Sequence, residues 1–186
     1  DAAWYAIYDR SLTFNGMLEA YSAMGRQWWG HFDSETRQRW AEEFKSISPH
    51  SPQALRFAIA LVATPTYEQA VQWESEAGED PVAYRTLGEV FATLKQYDDA
   101  VRVYERSITL SPHKNSYIGL ANAHRSAGRE GLWLPTLERF FEVESLGLEH
   151  AQVHALIANE LIEKDKLAEA EPHAAAAGET GSNWGL

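Results

Sequence analysis

The stretch TYEQAVQWESEAGEDP (Thr66 to Pro81) is echoed by QYDDAVRVYERSITLSP (Gln96 to Pro112), with Tyr97 following Tyr67 and Ala100 following Ala70 at a constant shift of 30. The same shift pairs Leu87 with Phe57, Gly88 with Ala58 and Phe91 with Leu61. Downstream, a shift of 33 pairs Tyr84 with Tyr117, Leu87 with Leu120, Gly88 with Ala121 and Lys95 with Gly128. A shift of 37 then aligns Leu120 with Ile157, Ala121 with Ala158, His124 with Leu161, Trp133 with Ala170, Leu137 with Ala174 and Phe140 with Ala177. Self-matching at such spacings constrains the chain more than any local signal, because each copy must then be one structural unit stacked on its neighbours.

Helical spacing gives the units their form. Tyr84, Leu87, Gly88 and Phe91 share one helix face, and Ala100, Tyr104 and Ser107 share another on the helix that follows. Gly88 and Ala100 are the small members, which let two helices of a hairpin approach while the aromatic side chains fill the space around them. One such hairpin leaves its apolar face uncovered, so burial comes from the next copy.

The window DPVAYRTLGEVFATLKQYDDAVRVYERSITLSP carries the pattern best, and there the chain resembles the tetratricopeptide repeat (TPR) family: Tyr84, Leu87, Gly88, Phe91, Tyr97, Ala100, Tyr104 and Pro112 fall at that family's signature places. The resemblance spans about Ser51 to Gly178 and implies an all-α, TPR-like right-handed superhelix of stacked antiparallel helix hairpins. It divides residues 51–178 into copies near 51–80, 81–114, 115–150 and 151–178, with residues 179–186 as a tail in which Trp184 stands out.

Punctuation agrees. Ser51-Pro52 and Asp80-Pro81 each put a capping residue before a proline at a helix's first position. Ser111-Pro112 closes a helix, and Lys114-Asn115-Ser116 is expected to supply the next cap. Pro135 predicts a helix beginning near Leu134, after a longer turn through GREGLW. Pro172 predicts a last helix that starts late or bends, because an interior proline costs on the order of 3 kcal/mol.

Residues 1–50 read as a divergent N-terminal helical hairpin, with Tyr5, Tyr8, Leu12, Met17, Leu18, Tyr21 and Met24 at helical spacing, then Trp40 and Phe44 on a second helix. Between them lies RQWWGHF. Trp28, Trp29 and Phe32 are expected to pack this turn; the sharper alternative makes them an exposed aromatic anchor for a partner.

Composition narrows the function. With 45% apolar and 23% charged residues the chain is that of a folded domain, and its longest apolar run, FAIALVA, is far short of the roughly 18 residues that cross a bilayer. Sixteen basic against 27 acidic residues give a net charge of −11, which disfavours nucleic acid and anionic membranes as partners. The absence of cysteine excludes disulfides, thiolate metal sites and cysteine nucleophiles, while leaving a cytoplasmic or exported setting equally open. The start at Asp1, without Met or a leader pattern, reads as a processed chain or, preferably, an excised region.

No catalytic constellation emerges. His150 and His154 stand four apart as zinc pairs do, but the intervening residues lack the glutamate of HExxH and no third ligand is marked. His154 instead takes the inward place of Tyr84 and Tyr117, and His124 is expected to be a satisfied core histidine. There is no GxSxG elbow, phosphate loop or dinucleotide fingerprint, and Glu74, Glu76, Glu79 and Asp80 read as a solvated acidic turn. No cofactor and no metal is expected.

The resemblance to the TPR family implies that first helices line a concave groove for an extended peptide or a partner's helix. It places Arg85, Glu89 and Ala92, then Ile118, Asn122 and Arg125, then Ala155, Asn159 and Ile162 on that groove. Asn122 and Asn159 would form a row of amides suited to an extended backbone, and Arg85 and Arg125 could pair with acidic side chains. Members that clamp acidic chaperone tails use a lysine and an asparagine where this chain has Arg85 and Glu89, so that specialisation is not expected. The reading is a non-enzymatic protein- or peptide-binding scaffold. Its alternatives are a docking or regulatory region of a larger multidomain enzyme, and a self-assembly module that forms homo-oligomers.

Overall fold

The structure, a computed structural model, describes residues 32–47, 52–62, 64–143 and 147–181. All regular elements among the described residues are helices, with no strand, and none of these helices is long and apolar enough to cross a membrane. Trp28, Trp29 and Trp184, with the helices expected before Gly30, lie outside the described residues. The chain divides after Gly78 into two compact units.

The first unit contains α1 (Ser34–Ile47), α2 (Pro52–Leu61) and α3 (Tyr67–Glu76). Asp33 caps α1: its carboxylate accepts from the Thr36 N–H at 2.7 Å and from the Thr36 hydroxyl at 2.9 Å, and these bonds hold its pKa below the usual carboxylate value. Trp40 and Ala41 are buried on α1, and the half-buried Phe32 sets its ring edge-to-face against Trp40 at 4.8 Å. α2 begins at Pro52 as the proline predicts and runs chiefly along α1, meeting α3 less extensively. Thr66 and Gln69 form a reciprocal capping box at the start of α3, which buries Ala70 and Trp73.

The second unit begins with an antiparallel pair, α4 (Pro81–Thr93) and α5 (Tyr97–Leu110), joined by a short turn. Asp80 is the expected cap, accepting from the Val82 N–H at 3.0 Å ahead of Pro81. α6 (Lys114–Ser126) packs on both α5 and α4. A 3-10 turn (Glu130–Leu132), α7 (Trp133–Glu138) and a second 3-10 turn (Arg139–Glu142) follow, then a second long pair, α8 (Gly147–Glu163) and α9 (Leu167–Gly181). Of the expected stripes, Leu87, Gly88, Phe91, Ala100, Tyr104 and Ser107 are buried and Tyr84 is half-buried.

The copies share one backbone turn. After α4 the Gln96 N–H reaches the Phe91 carbonyl at 2.8 Å, the Lys95 N–H reaches the Ala92 carbonyl at 3.0 Å, and Lys95 is left-handed at φ 60°. After α6, Arg129 reaches His124 and Gly128 reaches Arg125, both at 2.9 Å, with Gly128 at φ 76°. After α8, Lys166 reaches Leu161 at 2.9 Å and Asp165 reaches Ile162 at 3.0 Å, with Asp165 at φ 58°. Each is a Schellman closure, with crossed bonds that satisfy the last carbonyls of a helix. Lys95, Gly128 and Asp165 therefore hold one structural position in three copies.

Tyr104 joins the first copy to the second. A methyl group added at Gly88 on α4 would fall 2.5 Å from its ring, and one at Gly119 on α6 would fall 2.4 Å from it. The hydroxyl end of the ring thus lies where neither Gly88 nor Gly119 has room for a side chain. Burial, and secondarily the nearby Glu89, push the Tyr104 hydroxyl well above the ordinary tyrosine value. Beside it, the Ser107 hydroxyl donates to the Pro81 carbonyl at 2.8 Å and lies 2.9 Å from the Ser116 hydroxyl. Ser116 is accordingly the donor to Ser107, and α4, α5 and α6 are tied by one buried polar chain. The cap of α6 is not Lys114-Asn115-Ser116 but His113, whose Nδ1 accepts from the Asn115 N–H at 3.2 Å. Ser116 is unavailable because it faces the interior.

Both late prolines leave marks. Pro135 falls in the first turn of α7, which starts one residue before the expected Leu134 and soon tightens into a 3-10 turn. Pro172 lies inside α9, five positions after its start at Leu167, so that helix does not start late. The Schellman turn at Asp165 fixes the start, and the Lys166 carbonyl then accepts from the Glu169 and Ala170 N–H groups.

Candidate functional site

The residues expected to line a groove lie on α4, α6 and α8. Side-chain bonds from Lys114 to Gln152 and from Arg125 to Glu160 join α6 to α8, and α4 packs directly on α6. Ala92, Ile118 and Ala155 are half-buried, Asn122 and Asn159 exposed, and Ile162 is 49% exposed.

Asn122 is the centre of the best-defined cluster. Its Oδ1 accepts from Arg125 Nη2 at 3.0 Å and from the Trp133 indole N–H at 3.2 Å. The Arg125 guanidinium lies 5.3 Å from the Trp133 ring centre and donates to Glu160 Oε1 at 2.8 Å. Glu160 also meets Lys164 at 3.1 Å, and Lys164 bridges on to Glu130. The bond from Arg125, with help from Lys164, holds the Glu160 carboxyl below its usual value, and the two acids beside Lys164 raise that ammonium. Arg125 is therefore already neutralised from within the chain. Asn122 has spent its acceptor and keeps only N–H donors, whereas Asn159 has no hydrogen-bond partner among the described residues and offers both.

Arg85 and Glu89 stand one turn apart on α4: both act electrostatically on the Tyr104 hydroxyl, and Arg85 also acts on His113. Arg85 is half-buried and forms no ion pair among the described residues, which distinguishes it from Arg125. Below the Arg125 cluster, Trp133, Leu134, Pro135, Leu161 and Lys164 line a pocket of about 430 Å³. Its charged rim is largely self-paired, Lys164 with Glu130 and Glu160, Lys166 with Glu169.

The histidines are committed elsewhere. His150 Nε2 lies 3.1 Å from the Val143 carbonyl, and His154 Nδ1 lies 2.9 Å from His173 Nδ1. No group of three metal-ligating side chains gathers among the described residues. His124 departs from expectation: its Nδ1 is buried without a hydrogen-bond partner, and burial together with Arg129 lowers its pKa.

Glu160 and Trp133 escape a reading of groove positions one copy at a time, because each completes an interaction begun on another helix. A search for opposite charges spaced near the copy length would have paired Arg125 with Glu160. Gly119 likewise falls at no signature position, and only the incoming Tyr104 ring explains it. Compared with known families and with curated proteins, the chain matches no family model and no curated sequence.

Proposed function

We propose that this chain is a non-enzymatic scaffold that binds an extended peptide or protein segment along α4, α6 and α8. In this reading the helix pairs of the second unit stack as a TPR-like right-handed superhelix, with those three helices on its inner side. The reading is carried by the state of the two amides: Asn122, its oxygen filled by Arg125 and Trp133, presents fixed N–H donors, and Asn159 lies exposed with both donor and acceptor unspent. Such groups recognise a peptide backbone irrespective of its side chains. The half-buried Arg85, with no ion pair of its own among the described residues, adds a preference for an acidic side chain at the α4 end.

A random peptide library selected on the native chain and then measured by fluorescence anisotropy tests this. Two backbone-directed hydrogen bonds at about 0.5–1.5 kcal/mol each predict roughly tenfold weaker binding to the Asn122→Ala, Asn159→Ala double variant. Equal affinity for both proteins would remove the groove assignment.

A further inference from the structure

The last helix pair holds a cluster of rings that the groove does not use. Phe141, from the 3-10 turn, stacks on His154 with ring centres 3.9 Å apart and planes 12° apart. His150 stands edge-on to Phe140 and Phe141, at 5.2 and 5.7 Å. His154 also meets His173 of α9, nitrogen to nitrogen, at 2.9 Å. A hydrogen bond between two ring nitrogens needs one N–H and one lone pair. The contact therefore holds when the two rings carry at most one positive charge and fails when they carry two.

Among the described residues the surroundings offer no relief for a second charge. The groups that act on His154 are His173 from α9 and His150 from its own helix, both of which repel it when protonated. The 3-10 turn faces it with uncharged Phe141, while Glu142 of that turn acts on Tyr117 and Arg139 instead. On α9, Glu169, one turn before His173, is paired with Lys166. His173 also directly follows Pro172, which gives its helix no N–H at that point. The imidazole bond thus secures α9 just where its own ladder is missing a donor.

We propose that His154 and His173 form an acid-released latch: with at most one proton shared between them they tie α9 to α8, and when both are protonated they push α9 away. Burial, followed by His173 and His150, lowers the His154 pKa, so release belongs below the ordinary histidine value of 6.5.

Amide hydrogen exchange on the full chain at pH 7.5 and 5.0, corrected for intrinsic rates, tests the latch. Protection of α9 is expected to fall about tenfold at pH 5.0, while α5 changes less than twofold. His173→Ala should show the low α9 protection already at pH 7.5 with no further loss in acid, and its His154 ring should titrate at higher pH by NMR. His173→Gln, whose amide oxygen accepts from a protonated imidazole, should keep its α9 protection at pH 5.0. Unchanged α9 protection in the native chain, or an undiminished acid loss in either variant, would overturn the proposal.

Discussion

At the scale of single residues, the small side chains behave as the spacing implies, for reasons that can be measured. Gly88 was legible as a close-approach position because it lies on the same stripe as Tyr84, Leu87 and Phe91. Gly119 was not, since its neighbour in space, Tyr104, lies on another helix and the self-match gives it no special rank. Gly119→Ala would place a carbon 2.4 Å from a ring that is only 3% exposed. Overpacking of this kind destabilises by about 1–3 kcal/mol, and urea unfolding should show the loss. The candidate groove divides similarly. The matched places of Asn122 and Asn159 were readable, whereas the capture of Arg125 by Glu160 was not, because pairing between copies is invisible within one.

At the scale of elements, the turns are more regular than the residues that make them. One left-handed position is filled by Lys95, Gly128 and Asp165 in turn, and only the middle copy uses the residue without a steric cost there. An L-residue in this conformation costs about 1–2 kcal/mol, so Gly128→Ala should destabilise by about that amount and Lys95→Gly should stabilise by up to about 1 kcal/mol. Matching shifts in urea midpoint with an unchanged slope would verify both. Helix starts at Pro52 and Pro81 were legible because proline there sacrifices no bond. Of the two outcomes that Pro172 allowed, the late start is excluded, because the preceding turn, and not the propensity of the helix interior, sets where α9 begins.

At the scale of the whole chain, the boundary after Gly78 falls within two residues of the copy boundary near 80. Stability should show flanks in both acid and alkali. His113, His124 and His154 have lowered pKa values, so the unfolded chain takes protons below about 6.5 that the folded chain refuses, and stability is full above that pH and falls below it. Buried Tyr104 and Tyr117 have raised values, so their contribution is full below 10 and is lost as pH rises through them. Urea midpoints measured from pH 5 to pH 11 should trace a plateau between these limits. A midpoint that rises on acidification from pH 7 to pH 5 would contradict this.

The close packing around Tyr104 has a kinetic corollary. A phenol ring whose hydroxyl end is pressed against two glycines on different helices turns over about its own axis more slowly than an open one, because the turn needs those helices to part. The flip rate of this single ring, read from the merging of its paired proton resonances, is thus a clock for the breathing of α4 against α6.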